Sequence, residues 1–322
     1  MLHLIQREAG TFVEKIMGAC RKMEGAYAFI IMTKDCMYAV RDKNGLRPLS
    51  LAFLEDGYCI SSETCAFDIV GAKFIRDIEP GEVVRIASDG VKSFHYTDQV
   101  QHKMCAMEYI YFARPDSSIE GINVHTSRRH AGMLLAKSDD VEADIVIGVP
   151  DSSLSAAIGY SEASGLPYEI GLIKNRYVGR TFIQPTQKQR ERGVRMKLSA
   201  ISSIVSGKRV VMVDDSIVRG TTSRRIVQLL KDAGATEVHV RIASAPFSSP
   251  CFYGVDTSTY EELISARMDV DELCTYINAD TLKFMTIEQM REAIPTQDLC
   301  VSCFSGQYPT ALFSFQKVIK QK

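Results

Sequence analysis

The sequence predicts an α/β protein in which a doubly wound parallel sheet follows a smaller α+β unit. Up to about residue 100, short apolar runs are separated by tight-turn residues, a pattern typical of β-hairpins. From roughly residue 140 the rhythm becomes strand, short loop, helix. Repeated strand–helix–strand units with right-handed crossovers imply a parallel sheet, whose ligand binds at the carboxyl ends of the strands.

Composition is that of an ordinary globular protein. The 322 residues are 46% hydrophobic and 24% charged, enough for two domains with separate cores, and the net charge of -1 gives no general attraction to nucleic acid or an anionic membrane. We find no signal-peptide pattern and no apolar run of ~18 residues. We therefore expect a cytoplasmic protein that binds neither nucleic acid nor membrane, with its nine cysteines as thiols or metal ligands.

The first 100 residues predict one helix and three hairpins. Residues 1–24 carry apolar side chains near helical spacing, and Gly25 follows as a stop. The predicted hairpins turn at Lys34-Asp35, Asp56-Gly57 and Asp89-Gly90. One flanking helix over several hairpins indicates a layered α+β unit.

The second half alternates apolar strands with helices that end at glycine. Thr221, Thr222 or Ser223 is predicted to cap one helix, which Gly234 ends, and Gly165 ends an earlier helix. Strands are predicted within 143–150, 166–173, 208–215 and 236–244, and helices within 151–165 and 221–235.

Two adjacent carboxylates, Asp214 and Asp215, end one of these strands, just before a loop and a helix start. The loop amides and the positive end of the helix dipole form an anion site, to which the hydroxyls of residues 221–223 add donors. Carboxylates beside a phosphate need Mg²⁺ or a sugar diol between them. The string therefore suits a sugar phosphate with a metal-bound pyrophosphate, whereas a lone Asp-Asp pair would also fit simple N-capping.

This string resembles the phosphoribosylpyrophosphate (PRPP) signature of type I phosphoribosyltransferases. The similarity extends through nearly the whole chain to the glutamine PRPP amidotransferase family, on the strings at 107–117, 148–153, 174–190 and 213–223. The resemblance implies a partial N-terminal-nucleophile glutaminase domain over residues 1–100, then a phosphoribosyltransferase domain with a C-terminal extension over 101–322. It implies transfer of ammonia, taken from glutamine in the intact family, to PRPP, giving 5-phosphoribosylamine, pyrophosphate and glutamate in the first committed step of purine synthesis.

Site residues follow from the same resemblance. Mg²⁺ is implied at Ser152, Asp214 and Asp215. The positively charged segment from Lys174 to about Lys197 is implied to close over the substrate. The implied PRPP-binding residues are Asp214, Asp215, Ser216, Arg219, Gly220, Thr221, Thr222, Ser223, Lys174, Arg176, Tyr177 and Arg180.

Cys300 and Cys303 have metal-ligand spacing, but one C-x2-C is half a site. Cys20, Cys36 and Cys59 lie in apolar patterns typical of core residues. Some members of the glutamine PRPP amidotransferase family carry a 4Fe-4S cluster on cysteines at positions like those of Cys105, Cys251, Cys300 and Cys303. The resemblance therefore implies a cluster at these four residues. Zinc is the alternative.

The glutaminase nucleophile of the family, an N-terminal cysteine, has no counterpart here, because the chain begins Met1-Leu2-His3. Cys20 lies inside a predicted helix and cannot take that role. We expect a truncated sequence; a split enzyme and an ammonia-dependent transferase are the alternatives.

The resemblance also implies a homotetramer inhibited by purine nucleotides. The sequence also allows two other functions: a salvage phosphoribosyltransferase, and a PRPP-sensing DNA-binding regulator. A salvage enzyme would have no use for the N-terminal hairpins and paired cysteines. A regulator would need a basic recognition helix, whereas residues 1–24 carry both signs of charge.

Overall fold

The computed structural model describes residues 1–175, 198–296 and 298–313. The chain forms two compact units. The first comprises Met1–Val124, Pro250–Ser258 and Pro295–Lys322, and the second comprises His125–Ser249 and Thr259–Ile294. The predicted domain boundary at residue 100 stays a prediction. No helix in the described ranges is long and apolar enough to cross a membrane.

The first unit contains two antiparallel sheets. One has the strand order β1-β2-β6-β7 and the other the order β4-β3-β5. All three predicted hairpins are present, as β1–β2, β3–β4 and β6–β7. Its elements are α1 (Leu2–Arg7), α2 (Phe12–Arg21), β1 (Ala28–Met32), β2 (Cys36–Arg41), β3 (Ser50–Leu54), β4 (Gly57–Ser61), α3 (Cys65–Val70), β5 (Lys73–Asp77), β6 (Glu82–Ala87), β7 (Gly90–His95), β8 (Met104–Cys105), a π-helix (Glu108–Phe112), β9 (Ser118–Ile119) and β10 (Ile122–Asn123).

Alternation along β2 and β6 gives the first sheet two buried faces. Tyr38 and Val40 of β2 pack with apolar residues of α1 and α2, including Ile16 and Cys20. Ala39, on the opposite face of β2, packs with a separate cluster. Because successive side chains of a strand point to opposite faces, the hairpin pattern of the sequence already fixes this layering.

The second unit is built on a parallel sheet of strand order β11-β14-β15-β16. Its elements are α4 (Val124–Lys137, which begins at the last residue of the first unit), β11 (Ile145–Gly148), α5 (Leu154–Ser164), β12 (Leu172–Lys174), β13 (Leu198–Ala200), α6 (Ser202–Val205), β14 (Arg209–Asp214), α7 (Thr221–Asp232), β15 (Glu237–Ile242), 3-10 turns at Tyr260–Glu262 and Ile264–Ala266, α8 (Val270–Ile277), β16 (Thr281–Phe284) and α9 (Ile287–Ala293). The chain then returns to the first unit with β17 (Leu299–Cys300) and α10 (Ser302–Ser305).

Helices cover both faces of this sheet. Ile147 and Met212 point to the face that packs with Ile226 of α7 and Leu273 of α8. Gly148 is on the opposite face, where an added Cβ would be 2.9 Å from the Cβ of Ala157 in α5. The predicted doubly wound α/β fold is therefore confirmed.

Three local predictions were wrong. Residues 1–24 form two helices, because the chain leaves the helix at Glu8 and Gly10 takes a left-handed φ of +100°. Residues 166–173 do not add a full strand to the parallel sheet: one bridge joins Tyr168 to Val146, and β12 pairs antiparallel with β13 instead. The N-cap of α7 is Gly220, so residues 221–223 are already helical.

Candidate functional site

The candidate active site lies where β11 and β14 end. The two strands are parallel neighbours, with Gly148 opposite Val213, so the loops that follow them emerge at the same edge of the sheet. One loop carries Ser152 and Ser153 into α5, and the other carries Asp215 towards α7. The topology therefore brings together residues that are 61 to 63 positions apart in the chain.

Hydroxyl groups from the first loop bind the two carboxylates of the second. Ser152 Oγ donates to Asp215 Oδ2, and Ser153 Oγ donates to Asp214 Oδ1 at 3.0 Å. Ser216 Oγ adds a bond of 2.6 Å to Asp215 Oδ1, and the Asp215 amide donates to Asp214 Oδ1 at 2.9 Å. These bonds fix the orientation of both carboxylates.

Burial disfavours the charged form of both carboxylates in this pair. Asp214 and Asp215 are each only 7% exposed. Burial raises the pKa of Asp214, and the neighbouring charge of Asp215 raises it further. Burial also raises the pKa of Asp215, opposed by the hydroxyls of Ser152 and Ser216 and by the charge of Arg128. Two adjacent buried carboxylates are favoured when a cation or hydroxyl donors face them.

The start of α7 beside this pair suits an anion. Gly220 is the N-cap, with φ +72°, and the helix has no side-chain cap. A Cβ at Gly220 would be 2.8 Å from Ile264 Cδ1, so both the left-handed conformation and this contact disfavour any other residue there. Thr221 and Thr222 are exposed and Ser223 is buried. An uncapped helix start offers free backbone amides and the positive end of the dipole, the usual elements of a phosphate site.

Two predicted basic residues have defined partners. Lys174 Nζ lies 2.7 Å from Asp151 Oδ2, in the loop that also carries Ser152. Arg219 is 3.1 Å from Glu262 Oε2 and half exposed. The remaining predicted residues of the basic segment, Arg176, Tyr177 and Arg180, lie outside the described residues.

Sequence reasoning missed two residues of this site. Ser153 is fully buried and donates to Asp214, although only its neighbour Ser152 was predicted. Its position in the same short string was an available signal. Arg128 of α4 is 5% exposed and interacts electrostatically with Asp215. No local pattern marks Arg128, because packing of α4 alone brings it to the sheet edge.

The four predicted cluster cysteines come together in the first unit. Cys105 of β8 and Cys300 of β17 are direct partners in a short parallel pairing. Cys303 follows within α10, and Cys251 lies in the segment Pro250–Ser258. All four are buried thiols without a disulfide bond.

These four thiols are close enough to interact. Burial raises the pKa of Cys303 well above its ordinary value, and Cys105, Cys251 and Cys300 raise it further. The Tyr253 amide donates to Cys251 Sγ at 3.3 Å, and Cys300 Sγ is 3.2 Å from Ser302 Oγ. Within residues 1–175, 198–296 and 298–313, no three His, Cys, Asp or Glu side chains form a group that could hold a metal ion.

Comparison with known proteins gives a consistent result. The family profile described as phosphoribosyl transferase domain matches residues 125–246. The amidophosphoribosyltransferase of Bacillus subtilis strain 168 is 56% identical over 97% of this chain and 67% of its own length. That of Staphylococcus aureus strain MRSA252 is 52% identical over 98% of this chain and 66% of its own length. The chain thus spans about two thirds of the length of these relatives.

Solved structures agree with the sequence relatives. The B. subtilis glutamine PRPP amidotransferase in complex with ADP and GMP matches with a TM-score of 0.91 and 56% identity, over 97% of this chain and 70% of that one. A structure described as the allosteric regulatory enzyme of purine biosynthesis also has a TM-score of 0.91, with 57% identity over 97% of this chain and 68% of that one. The chain belongs to the amidophosphoribosyltransferase family, pentosyltransferases that catalyse the first step of purine biosynthesis.

Proposed function

We propose that this chain binds Mg²⁺ and PRPP at the end of the parallel sheet and transfers ammonia to the anomeric carbon of the ribose. The observation that carries the proposal is the buried pair Asp214–Asp215, held by Ser152 and Ser153 from the loop after the neighbouring strand and followed by an uncapped helix. Carboxylates and helix amides serve opposite ends of a phosphorylated ribose.

The two carboxylates would accept hydrogen bonds from the ribose hydroxyls and, with Ser152, hold the metal. Bound Mg²⁺ would neutralise charge on the pyrophosphate. The donor set fits this ion, because carboxylate and hydroxyl oxygens are the ligands that Mg²⁺ prefers. The amides from Gly220 to Ser223 would bind the 5-phosphate.

The chemistry requires no nucleophile from the protein. The lone pair of ammonia forms the new C–N bond, the bond from the anomeric carbon to pyrophosphate breaks, and the nitrogen loses one proton to the surroundings. The site contributes by orienting the ribose and by stabilising the departing negative charge. We assign the latter role to Lys174, Arg176 and Arg180, and we propose that Tyr177 also binds PRPP.

For the chain assayed alone, we propose free ammonia as the nitrogen source. Cys20, the first cysteine of the sequence, is 1% exposed, and burial raises the pKa of its thiol to about 11. A buried, protonated thiol is a poor nucleophile for glutamine. We therefore expect PRPP-dependent pyrophosphate release with ammonium chloride and none with glutamine.

The test of the PRPP site is the double variant Asp214→Asn with Asp215→Asn. Ammonium- and Mg-dependent pyrophosphate release should fall by about 100-fold, as expected for the loss of metal-contacting groups. Asp232→Asn is the matched control, because Asp232 is exposed and accepts a hydrogen bond from Gln228 of its own helix. Turnover by the double variant at the wild-type rate would refute the site.

We further propose that Cys105, Cys251, Cys300 and Cys303 bind a 4Fe-4S cluster. Four buried thiols from three chain segments, with an amide donor to one sulfur, fit the ligand set of such a cluster. A four-iron cluster is itself several ångströms across, so its ligands do not converge on one point as those of a single ion do. When bound, the cluster would fasten these segments together.

Anaerobic purification and metal analysis test the cluster. We expect about four iron and four sulfide ions per chain, lost in Cys300→Ser with Cys303→Ser and kept in Cys274→Ser. Cys274 lies in α8 of the second unit, so it controls for the loss of a thiol. One zinc ion per chain in place of iron would contradict the assignment.

Finally, we propose that the chain assembles as a homotetramer and that purine nucleotides inhibit it. The B. subtilis relative solved with ADP and GMP supports the second point. Light scattering of the purified protein and inhibition of pyrophosphate release by GMP test the two points separately.

A further inference from the structure

One arginine links the loop after β2 to the cysteine site. Arg47 donates to the Tyr253 carbonyl oxygen twice, from Nε at 3.0 Å and from a terminal nitrogen at 2.7 Å. Its other terminal nitrogen pairs with Glu108 Oε1. The guanidinium also lies over the Phe112 ring, 5.6 Å from its centroid.

Each of these partners belongs to a segment that carries a cysteine. Tyr253 is two residues after Cys251, and Glu108 begins the π-helix three residues after Cys105. The residue before Arg47 adds a third connection, because the Cys105 amide donates to the Leu46 carbonyl at 3.2 Å. Arg47 and its neighbour thus hold two cysteine-bearing segments at fixed positions.

The backbone beside Arg47 leaves room for its guanidinium. Gly254 has φ +105°, and a Cβ added there would be 2.6 Å from a terminal nitrogen of Arg47. Any other residue at this position would displace the guanidinium or strain the turn that follows Cys251. The close approach of the guanidinium to this turn therefore depends on two residues far apart in the sequence, Arg47 and Gly254.

The charge of Arg47 acts on the same site. Its positive charge lies within electrostatic range of the sulfur atoms of Cys105, Cys251 and Cys300. Glu108 offsets part of this positive charge. A cluster with four thiolate ligands is an anion, and nearby charge is one of the factors that set its reduction potential.

We infer that Arg47 is a positioning residue for the iron–sulfur cluster: it fixes the segments of Cys105 and Cys251 and raises the reduction potential of the bound cluster. This inference rests on the cluster assigned under Proposed function. Reduction adds a negative charge, so removal of a neighbouring cation makes the potential more negative.

The test uses the whole chain, reconstituted anaerobically with iron and sulfide. Arg47→Gln should release iron to a chelator ~10-fold faster than wild type, a usual effect of losing a group that orients metal ligands, and should have a more negative midpoint potential. Arg47→Lys should keep the potential near wild type but release iron faster, because lysine cannot make the paired bonds. Gly254→Ala, which keeps the charge, should release iron faster as well.

Arg85→Gln is the matched control, since Arg85 lies on β6 of the same unit and pairs with Asp89. A wild-type potential and release rate in Arg47→Gln would overturn the inference and leave the cluster assignment intact. Failure of wild-type protein to take up iron would overturn both. If Arg47→Gln does not fold, Arg47→Lys and Gly254→Ala decide the outcome: wild-type iron release in both would overturn the inference.

Discussion

Gly159→Ala is expected to destabilise the second unit, although alanine is the better helix former. Gly159 lies in α5, and a Cβ built on it would be 1.8 Å from the Arg129 carbonyl oxygen of α4. Gly132 of α4 makes the reciprocal approach, 1.8 Å from the Ala156 carbonyl oxygen. The two helices therefore cross with their backbones in direct contact.

The structure sets the size of the effect. A Cβ at Gly159 would be 1.8 Å from the Arg129 carbonyl oxygen, whereas an ordinary contact begins at 3.4 Å. The two helices would therefore have to move apart by about 1.6 Å to accept the methyl group. Overpacking of this kind costs up to about 3 kcal/mol, whereas the gain in helix propensity is about 1 kcal/mol. We expect a net loss of about 2 kcal/mol in the free energy of unfolding.

Urea unfolding followed by circular dichroism measures this loss, because the chain has no tryptophan for fluorescence. Gly18→Ala in α2 is the control: its Cβ would be 2.5 Å from the carboxyl group of Glu8, the end of a side chain that can rotate away. This control should be neutral or slightly stabilising. Equal or greater stability of Gly159→Ala would refute the steric argument.

The same variant should also weaken PRPP binding. Ser153 directly precedes α5, so a displaced helix moves its hydroxyl away from Asp214. Calorimetric titration with Mg²⁺ and PRPP should show weaker binding for Gly159→Ala and unchanged binding for Gly18→Ala.

Three further predictions concern the second unit. Ser153→Ala should lower the free energy of unfolding by about 2 kcal/mol, because a buried carboxylate loses a donor; urea unfolding measures it. Gly220→Ala should weaken PRPP binding in calorimetry, because its φ of +72° and the contact with Ile264 disfavour a side chain. Asp139→Asn should cost about 3 kcal/mol at neutral pH, because it leaves buried Arg241 without its partner. Burial would raise the pKa of Asp139, yet Arg241 and a tyrosine hydroxyl hold it below its ordinary value. The stabilisation is thus complete above about pH 4 and is lost as pH falls through the folded-state pKa, so wild type and Asp139→Asn should converge in acid.

Each of these has a contrary outcome. An unchanged free energy of unfolding in Ser153→Ala would mean that water replaces the hydroxyl. An unchanged PRPP affinity in Gly220→Ala would show that the start of α7 does not bind the phosphate. A stability difference between wild type and Asp139→Asn that stays constant from pH 7 to pH 3 would show that the ion pair is not its source.

Much of the architecture could be predicted from pattern alone. Turn residues between short apolar runs predicted the three hairpins, and the succession of strand, short loop and helix predicted β11, β14 and β15 as strands of a parallel sheet. Helix boundaries differ from the prediction where one residue decides the backbone geometry. Gly10 divides the predicted first helix, and Gly220 displaces the expected hydroxyl cap of α7.

The local sequence determined which chemical groups lie at the strand ends, because the predicted strand places Asp214 and Asp215 at its carboxyl end, where the loop begins. It could not determine what surrounds them. Ser153 and Arg128 reach the carboxylates through the pairing of β11 with β14 and the packing of α4, contacts between residues far apart in the chain. The same holds for Arg47, which meets Tyr253 across 206 positions. Backbone preferences act over a few residues, so they determine which segments form helices and strands. Which side chains share a site is decided by the packing of these helices and strands against segments far away in the chain.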